Sequence, residues 1–592
     1  MLTSELFSTA LAYLQSGNIQ KAKSLFYRIL ERTPEHADTL HLLGIIAQRE
    51  GQCAIAANLI RKAVDVCPNG RMHCSLGNAY NSLGDYLAAE DNYRTAILLE
   101  PDNEEAHAKL GILLQVQGKV NEAIECFRTA IKLKPFAETY SNLGCALKDI
   151  GEYAAAVENF EKSLSIKPDY PRTYSNLLFC LSHMELVSPE ELFAGHCRFG
   201  NYFGNLPTYS FGRQVAQEPQ RRLRLGFISG DLWNHAVAYF LEPLWADLDP
   251  EQIEIWVYYN YHVEDSVTER LKSLANRWRS VFNMSDEALA AEIHSDSIDI
   301  LFDLSGHTAR NRLLVFARKP APIQVSWLGY PGTSGLKAMD YFIADHSLAP
   351  KGLLDDFFTE KIVRLPSAVS FEPFPHSPPV KPLPAMKNGY FTFGSFHRTA
   401  KLGEGVISLW CRVLNSVPRS RMLLGNASEQ RRIVLLERFK QYGISEERLD
   451  FHPCVPMYEY LELHNNVDLI LDTFPYAGGT TTAHAAWMGV PVLTMSGKTM
   501  PSLQGAAMMN QIGIPGFVTD SPAMFLEQAL GWTNKIHELA VIRSGLRERM
   551  LDLPLMKQKI LNRAFERAVR IMWCRRCDGL EPASFDVVLP QT

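Results

Sequence analysis

The chain has 592 residues, too many for a single hydrophobic core, so three or four domains are expected. A net charge of −6 argues against a nucleic-acid-binding protein with a global positive field, and an apolar content of 46% is ordinary for a globular chain. No apolar stretch approaches about 18 residues and the eleven cysteines are scattered, so neither a membrane span nor a disulfide framework is expected, and a cytoplasmic location is predicted.

Residues 4–200 carry an internal repeat with a period of 33 or 34 residues. The marks of this period are five glycines, five prolines and five alanines in one register: Gly17, Gly51, Gly84, Gly118, Gly151, Pro34, Pro68, Pro101, Pro135, Pro168, Ala22, Ala56, Ala89, Ala123 and Ala156. With helical apolar spacing between the marks, this period predicts tetratricopeptide repeats, each made of two antiparallel helices. Five full repeats and a degenerate sixth, residues 173–200, are expected to form an α-solenoid. Its stacked first helices would line a groove for a protein or peptide partner.

Apolar runs that alternate with helical segments follow from residue 221 onward. The predicted strands cover residues 223–229, 253–259, 298–304, 323–328, 341–344, 391–395, 422–424, 449–452, 469–471 and 491–495. A proline-rich crossing, residues 372–389, separates the two sets of five, and a helical region over 522–573 closes the chain. Strands that alternate with helices favour parallel sheets. We therefore predict two Rossmann-like domains, residues 221–371 and 390–575, which bind ligands at the carboxyl ends of their strands.

The segment 472–482, Asp-Thr-Phe-Pro-Tyr-Ala-Gly-Gly-Thr-Thr-Thr, places a glycine loop between a strand and a helix predicted to begin near Thr480. A helix N-terminus presents unpaired N–H groups and partial positive charge, and glycines such as Gly479 let a ligand approach the backbone. With the hydroxyls of Thr480, Thr481 and Thr482 added, the segment is suited to a diphosphate. The alternative is a capped helix that simply follows a glycine turn.

Two further pairs of residues follow predicted strand ends. Arg398 and Lys401 come after the strand at 391–395, where a lysine can neutralise a departing diphosphate, although a solvated lysine is the default alternative. His235 and His307 follow two strands of the first domain and could converge on one cleft, where histidine suits proton transfer near neutral pH. Purely structural histidines are the alternative.

Four stretches together carry a resemblance to a known family. These are Gly-Phe-Ile-Ser-Gly-Asp at 226–231, Trp-Leu-Gly-Tyr-Pro-Gly-Thr-Ser-Gly at 327–335, Phe-Gly-Ser-Phe at 393–396 and Gly-Gly-Thr-Thr-Thr at 478–482. Combined with the repeats, they make nearly the whole chain resemble the O-linked N-acetylglucosamine transferases of glycosyltransferase family 41. That family includes bacterial members and the plant Spindly-type O-fucosyltransferases.

The resemblance implies a GT-B glycosyltransferase that is inverting and metal-independent and needs no cofactor. It would move a sugar, with N-acetylglucosamine as the first choice, from a UDP-sugar donor to Ser or Thr hydroxyls of proteins selected by the repeats. By matching position, His235 and His307 would be active-site histidines, and Lys401 would assist the departing diphosphate. The donor would contact a larger set of residues: Leu328, Gly329, Pro331, Arg398, Lys401, Gly479, Thr480, Thr481, Thr482 and His484.

Two departures from the family pattern leave the donor open. His484 stands where the family carries an acidic residue for the ribose, and the run after Gly497 lacks the family's Ser-Arg. One remaining alternative is a transferase that moves another sugar, fucose or glucose, or that modifies asparagine side chains. The other is a catalytically impaired repeat scaffold that only senses a nucleotide sugar.

Overall fold

The computed structural model describes residues 2–211 and 218–589, and the chain divides into two compact units, Met1–Thr173 and Tyr174–Thr592. The first unit is an α-solenoid of antiparallel helix pairs, as the period of the repeats predicts. Its helices are Thr3–Gln15 (α1), Ile19–Arg32 (α2), Ala37–Arg49 (α3), Cys53–Val66 (α4), Gly70–Leu83 (α5), Tyr86–Leu99 (α6), Glu104–Val116 (α7), Val120–Leu133 (α8), Ala137–Asp149 (α9) and Tyr153–Ile166 (α10).

The repeat marks have physical reasons in this solenoid. Gly84 ends α5 with φ 79°, a left-handed conformation in which glycine carries no steric penalty. Side-chain hydrogen bonds join equivalent positions of successive repeats. His41 Nε2 lies 2.8 Å from Ser75 Oγ, and Gln115 Nε2 donates to Asp149 Oδ2 at 2.8 Å. Each of these hydrogen bonds joins residues 34 positions apart, so the same period sets both the turns and the register between neighbouring repeats.

The second unit contains a parallel sheet with strand order β7-β6-β5-β4-β1-β2-β3. The elements up to its last strand are Pro171–Leu181 (α11), Pro189–Phe203 (α12), Leu223–Ser229 (β1), Ala236–Ala246 (α13), Ile253–Tyr259 (β2), Ser266–Leu274 (α14), Arg277–Ser280 (β3), Asp286–Ser295 (α15), Ile300–Asp303 (β4), Leu313–Ala317 (α16), Ile323–Ser326 (β5), Tyr341–Asp345 (β6) and Lys361–Leu365 (β7). Five of these strands correspond to predicted ones. β3 and β7 are additional, because charged residues interrupt the apolar runs on which the predictions depend.

A second parallel sheet, with strand order β10-β9-β8-β11-β12-β13, follows the proline-rich segment. Its elements are Ala385–Asn388 (α17), Thr392–Ser395 (β8), Glu404–Ser416 (α18), Arg421–Leu424 (β9), Glu429–Gln441 (α19), Leu449–Phe451 (β10), Met457–Leu463 (α20), Leu469–Leu471 (β11), Thr480–Trp487 (α21), Val492–Met495 (β12), Met500–Gln511 (α22), Val518–Thr519 (β13), Pro522–Asn534 (α23) and Ile536–Leu551 (α24). Two parallel sheets with flanking helices are the architecture predicted for a GT-B fold.

The end of the chain returns to the first sheet, which differs from the predicted extent of the second domain, residues 390–575. Helix Gln558–Cys577 (α25) buries Leu561, Phe565 and Trp573 in the core of the first sheet, and Phe585–Asp586 (β14) pairs with β7. The physical reason is the apolar face of α25, whose Phe565 ring stacks on Trp327 at 5.3 Å. Within the described ranges, no helix is long and apolar enough to cross a membrane.

The hairpin α11–α12 belongs to the second unit from Tyr174 onward. Leu178 and Phe199 are buried in one cluster with Ile228 of β1 and Leu301 of β4. The degenerate sixth repeat lacks the glycine and proline marks of the other repeats. Its apolar faces cover the first sheet. Its two helices bring side chains from outside the Rossmann-like sheets to the carboxyl ends of their strands.

Candidate active site

A buried carboxylate organises the loop between β11 and α21, residues 473–479, which we call the glycine loop. Asp472 is fully buried, and its Oδ1 accepts hydrogen bonds from the backbone N–H groups of Thr473 (2.8 Å) and Gly478 (2.9 Å). Oδ2 accepts from Thr494 Oγ1 at 2.7 Å. Because several donors converge on one carboxylate, the loop that precedes α21 is held in a single conformation.

Helix α21 begins at Thr480, as predicted, and Gly479 is its N-cap residue. The first intrahelical bond runs from Ala483 N to Gly479 O, so the N–H groups of residues 480–482 have no acceptor within the helix. Side-chain space ahead of the helix is restricted, since a Cβ at Gly478 would lie 2.9 Å from Thr481 Oγ1. The arrangement presents N–H donors and the positive end of a helix dipole at a glycine-lined surface.

Lys401 lies beside this loop, in the short 3-10 helix Thr399–Lys401 that follows β8. Its Nζ donates a hydrogen bond to the carbonyl of Ala477 at 2.9 Å and lies 4.3 Å from the centre of the Tyr476 ring. Burial lowers the pKa of Lys401 to about 8, with a further decrease from the positive charge of Arg398, against an increase from Asp472. The lysine is therefore a partly desolvated cation next to the N-terminus of α21, where it can pair with an anionic ligand.

His235 caps helix α13, and its Nδ1 accepts a hydrogen bond from Val237 N at 3.3 Å. The neutral ring consequently carries its proton on Nε2 and offers it as a donor. Burial lowers the pKa of His235, and Arg398 and Arg310 lower it further, although Asp231 acts in the opposite direction. Arg398 of the second domain thus lowers the pKa of both His235 and Lys401.

His307, predicted to be an active-site histidine that follows a strand end, is almost fully enclosed by protein. It is 1% exposed, and its Nε2 donates to the carbonyl of Ser334 at 2.9 Å, since a carbonyl oxygen can only accept. Nδ1 then accepts from Ser175 Oγ at 3.1 Å. Burial lowers the pKa of His307 well below its usual value, and the nearby His196 adds to this. Both ring nitrogens are hydrogen-bonded within the protein, and the Nε2 bond joins His307 to the loop 327–335.

The loop 327–335 contains three of the predicted donor contacts. Leu328 adopts φ 66°, and a Cβ at Gly329 would overlap the backbone of Leu304, so only glycine fits there. Pro331 is half-buried in the same loop. The loop is anchored by the buried Glu360, whose Oε1 accepts from the Ser334 N–H at 2.8 Å. A strained, anchored backbone at the end of β5 is typical of a ligand-contacting segment.

His484 lies on α21 between two aromatic rings, 5.6 Å from that of Phe371 and 5.5 Å from that of Tyr460. Burial lowers its pKa to about 4, so the imidazole is neutral at physiological pH. A neutral ring can donate or accept one hydrogen bond but cannot supply the negative charge of an acidic residue.

The structure also brings residues to the site that the sequence motifs do not single out. Tyr476 lies under the Lys401 ammonium, His183 of the α11–α12 connection stacks on Tyr476, and Arg310 pairs with Asp231 at 2.7 Å. Tyr476 is inside the predicted segment 472–482, where its large ring in a glycine-rich loop is a visible signal. His183 carries no such signal, because its place depends on a contact across almost 300 residues.

A family model described as "Glycosyl transferase family 41" matches residues 174–372 and 385–564. Models of the tetratricopeptide repeat match residues 77–118, 104–136 and 137–170. The family match begins at the same residue as the second compact unit and covers more than half of the chain.

Several curated relatives are named "Probable UDP-N-acetylglucosamine--peptide N-acetylglucosaminyltransferase". The SPINDLY protein of Solanum lycopersicum is 32% identical over 71% of this chain, and that of Oryza sativa subsp. japonica is 34% identical over 72%. The SEC protein of Arabidopsis thaliana is 26% identical over 75%. The matches cover 46% or 47% of these relatives, so the chain spans about half the length of the curated relatives it matches.

Among solved structures, a lysine-to-methionine mutant of the Thermobaculum terrenum O-GlcNAc transferase superposes with a TM-score of 0.79 at 33% identity. The match covers 86% of this chain and 98% of that protein, so it includes repeats as well as both sheets. Because the family model matches more than half of the chain and these relatives are similar to it in sequence and structure, the chain belongs to glycosyltransferase family 41.

Proposed function

We propose that the protein is a glycosyltransferase that moves a sugar from a nucleotide diphosphate donor to hydroxyl groups of protein acceptors. The observation that carries the proposal is the placement of the Lys401 ammonium beside the glycine loop and the N-terminus of α21. Two independent sources of positive charge therefore lie next to the same loop. This is the arrangement that a departing diphosphate requires.

In the proposed reaction, a Ser or Thr hydroxyl oxygen of the acceptor bonds to the anomeric carbon of the sugar. The bond between that carbon and the diphosphate oxygen breaks, and the diphosphate leaves with its electron pair. Attack from the face opposite the leaving group inverts the anomeric configuration. Lys401 and the first-turn N–H groups of α21 stabilise the negative charge as it develops. We propose a reaction without metal or cofactor, in which these groups and Arg398 supply the positive charge.

His235 enters this scheme as a hydrogen-bond donor. Its Nδ1 accepts from Val237 N, so Nε2 carries the proton of the neutral ring, and we propose that it donates to an oxygen of the donor or acceptor. A general base would need an unprotonated nitrogen at the same place. The proposal therefore gives His235 a binding and orienting role, and the hydroxyl proton passes to an oxygen of the departing diphosphate.

The donor is proposed to be a UDP-sugar, with N-acetylglucosamine first, because the names of the relatives refer to UDP-N-acetylglucosamine. The neutral His484 would contact a ribose hydroxyl where the family carries a carboxylate. This difference is the reason to include GDP-fucose and UDP-glucose in any donor panel. We propose further that the repeats bind the protein acceptors and that the reaction takes place in the cytoplasm, in keeping with scattered free cysteines.

The test is an incubation of the purified protein with radiolabelled UDP-N-acetylglucosamine, UDP-glucose or GDP-fucose and a cell lysate. Label should enter protein with one donor, and release by β-elimination would identify Ser or Thr linkage. Lys401→Ala should lower transfer about a hundredfold or more, the size typical of a lost charge-stabilising group. Donor binding without transfer would favour the sensor alternative, and full transfer by Lys401→Ala would contradict the proposed site.

A further inference from the structure

The hairpin α11–α12 is fastened to the first sheet by polar and steric contacts. Ser175 donates to His307, and His196 Nε2 lies 2.9 Å from the hydroxyl of Tyr330 in the loop 327–335. A Cβ at Gly200 would overlap the backbone of Gly335, so the helix and the loop touch without an intervening side chain. The hairpin is therefore packed directly against the loop 327–335 and His307 of the first domain.

The connection between α11 and α12 also touches the second domain. The imidazole of His183 stacks on the Tyr476 ring with centres 4.1 Å apart and an interplanar angle of 18°. Its Nδ1 donates to the carbonyl of Phe179 at 2.8 Å, which fixes the orientation of the ring. The carboxylate of Glu185 abuts Gly405 in the first turn of α18. One short connection thus contacts both the glycine loop and a helix of the second sheet.

We propose that His183 is a positioning residue for Lys401, acting through the ring of Tyr476 on the cation that meets the diphosphate. This inference rests on the proposed function, since it takes Lys401 as the diphosphate contact. His183 holds Tyr476 against the glycine loop, and Tyr476 supports the ammonium at 4.3 Å while Ala477 accepts its hydrogen bond. A residue outside both Rossmann-like sheets thereby sets where the cation of the second sheet lies.

The pKa of Lys401 reports on this arrangement, because burial and nearby charges both shift it. Asp472 and Arg398 act on it with opposite signs, and His397 lies 3.0 Å from the Asp472 carboxylate. Burial is the largest influence and lowers the pKa of the ammonium to about 8. If His183 is removed, water reaches the ammonium and its pKa rises towards 10.5. The cation then also samples more positions, so it binds a diphosphate less tightly.

The experiment is calorimetry of UDP and of GDP binding to the full chain between about pH 6.5 and 9.5, a range that brackets the Lys401 titration. Wild-type affinity should fall as pH rises through about 8, because Lys401 loses its charge there. His183→Ala should weaken binding about threefold to tenfold at pH 7 and move the decline to higher pH. His183→Phe keeps a stacking ring and should restore both the affinity and the pH dependence. The exposed His537 supplies the control, and His537→Ala should bind as wild type.

The outcomes separate this inference from the proposed function. If Lys401→Ala removes the pH-dependent affinity while His183→Ala binds as wild type across the range, the positioning role is overturned and the proposed site stands. If Lys401→Ala leaves both affinity and pH dependence unchanged, the proposed diphosphate site is wrong, and the positioning role fails with it. A weaker affinity of His183→Ala with an unmoved pH dependence would reduce His183 to a structural contact and would also overturn the inference.

Discussion

Nε2 of His397 lies 3.0 Å from Oδ1 of Asp472, and both side chains are buried at the ends of neighbouring strands, β8 and β11. Burial raises the pKa of the Asp472 carboxyl, but His397, Thr494 and the Gly478 N–H lower it by more, so the pKa lies below its usual value. An ionised carboxylate in the core thus orders the glycine loop. The chemistry proposed for Lys401 and α21 depends on this order, because both flank that loop.

Asp472→Asn should lower the free energy of unfolding at pH 7 by about 1–3 kcal/mol, because an amide cannot accept the same donors and leaves some unpaired. A depressed carboxyl pKa contributes stability that is present above the unfolded value and lost as pH falls through the folded one. Urea unfolding should therefore show a smaller loss of stability below about pH 4 in the variant than in wild type. The exposed Asp450 provides the control, and a stable Asp472→Asn protein would refute the anchoring role.

His235 should act as a donor and not as a base. His235→Gln retains an N–H donor and should keep about a tenth of wild-type kcat/KM, whereas His235→Ala should lose about a hundredfold or more. Nε2 carries a proton in both the neutral and the protonated ring, so kcat/KM should not fall tenfold per pH unit below the lowered pKa of His235, as it would for a base. The measurement is a pH–rate profile with the donor that supports transfer. Equal losses in the two variants would instead favour proton transfer by the imidazole.

The close approach of α12 to the loop 327–335 predicts a steric effect far from the diphosphate. Gly200→Ala places a methyl group against the backbone of Gly335 and should destabilise the second unit by about 1–3 kcal/mol. Gly545 is the matched control, since it lies inside α24 with nothing within 4 Å of its virtual Cβ. Gly545→Ala should stabilise the protein by about 0.5–1 kcal/mol. Chemical unfolding of both variants decides the matter, and equal effects would contradict the close packing.

The repeats should be needed for protein acceptors but not for the donor. Deletion of residues 4–134 leaves the fifth repeat and the second unit, and should preserve nucleotide binding and hydrolysis of the donor while transfer to protein is lost. Thermal unfolding of the truncated chain controls for damage to the second unit. Transfer at the wild-type rate would show that the repeats serve a purpose other than acceptor binding.

Local patterns in the sequence account for much of what the structure contains. The 34-residue period predicts the helix pairs because each mark acts on its own turn, as the left-handed Gly84 does. Buried apolar runs such as 223–229 predict strands because both faces of a parallel strand are covered. The glycine and threonine segment likewise predicts the start of α21 at Thr480. The same motifs were sufficient for the family resemblance that the comparisons bear out.

Tertiary structure alone decided which residues meet. The Ser175 contact that occupies His307 joins residues 132 positions apart, and the return of α25 to the first sheet depends on its packing against Trp327. No local period or composition encodes such pairs, because their energy comes from burial between elements that are distant in sequence. The repeats, ten of the strands and the family were predictable from the sequence. The burial of His307 and the stacking of His183 on Tyr476 needed the folded molecule.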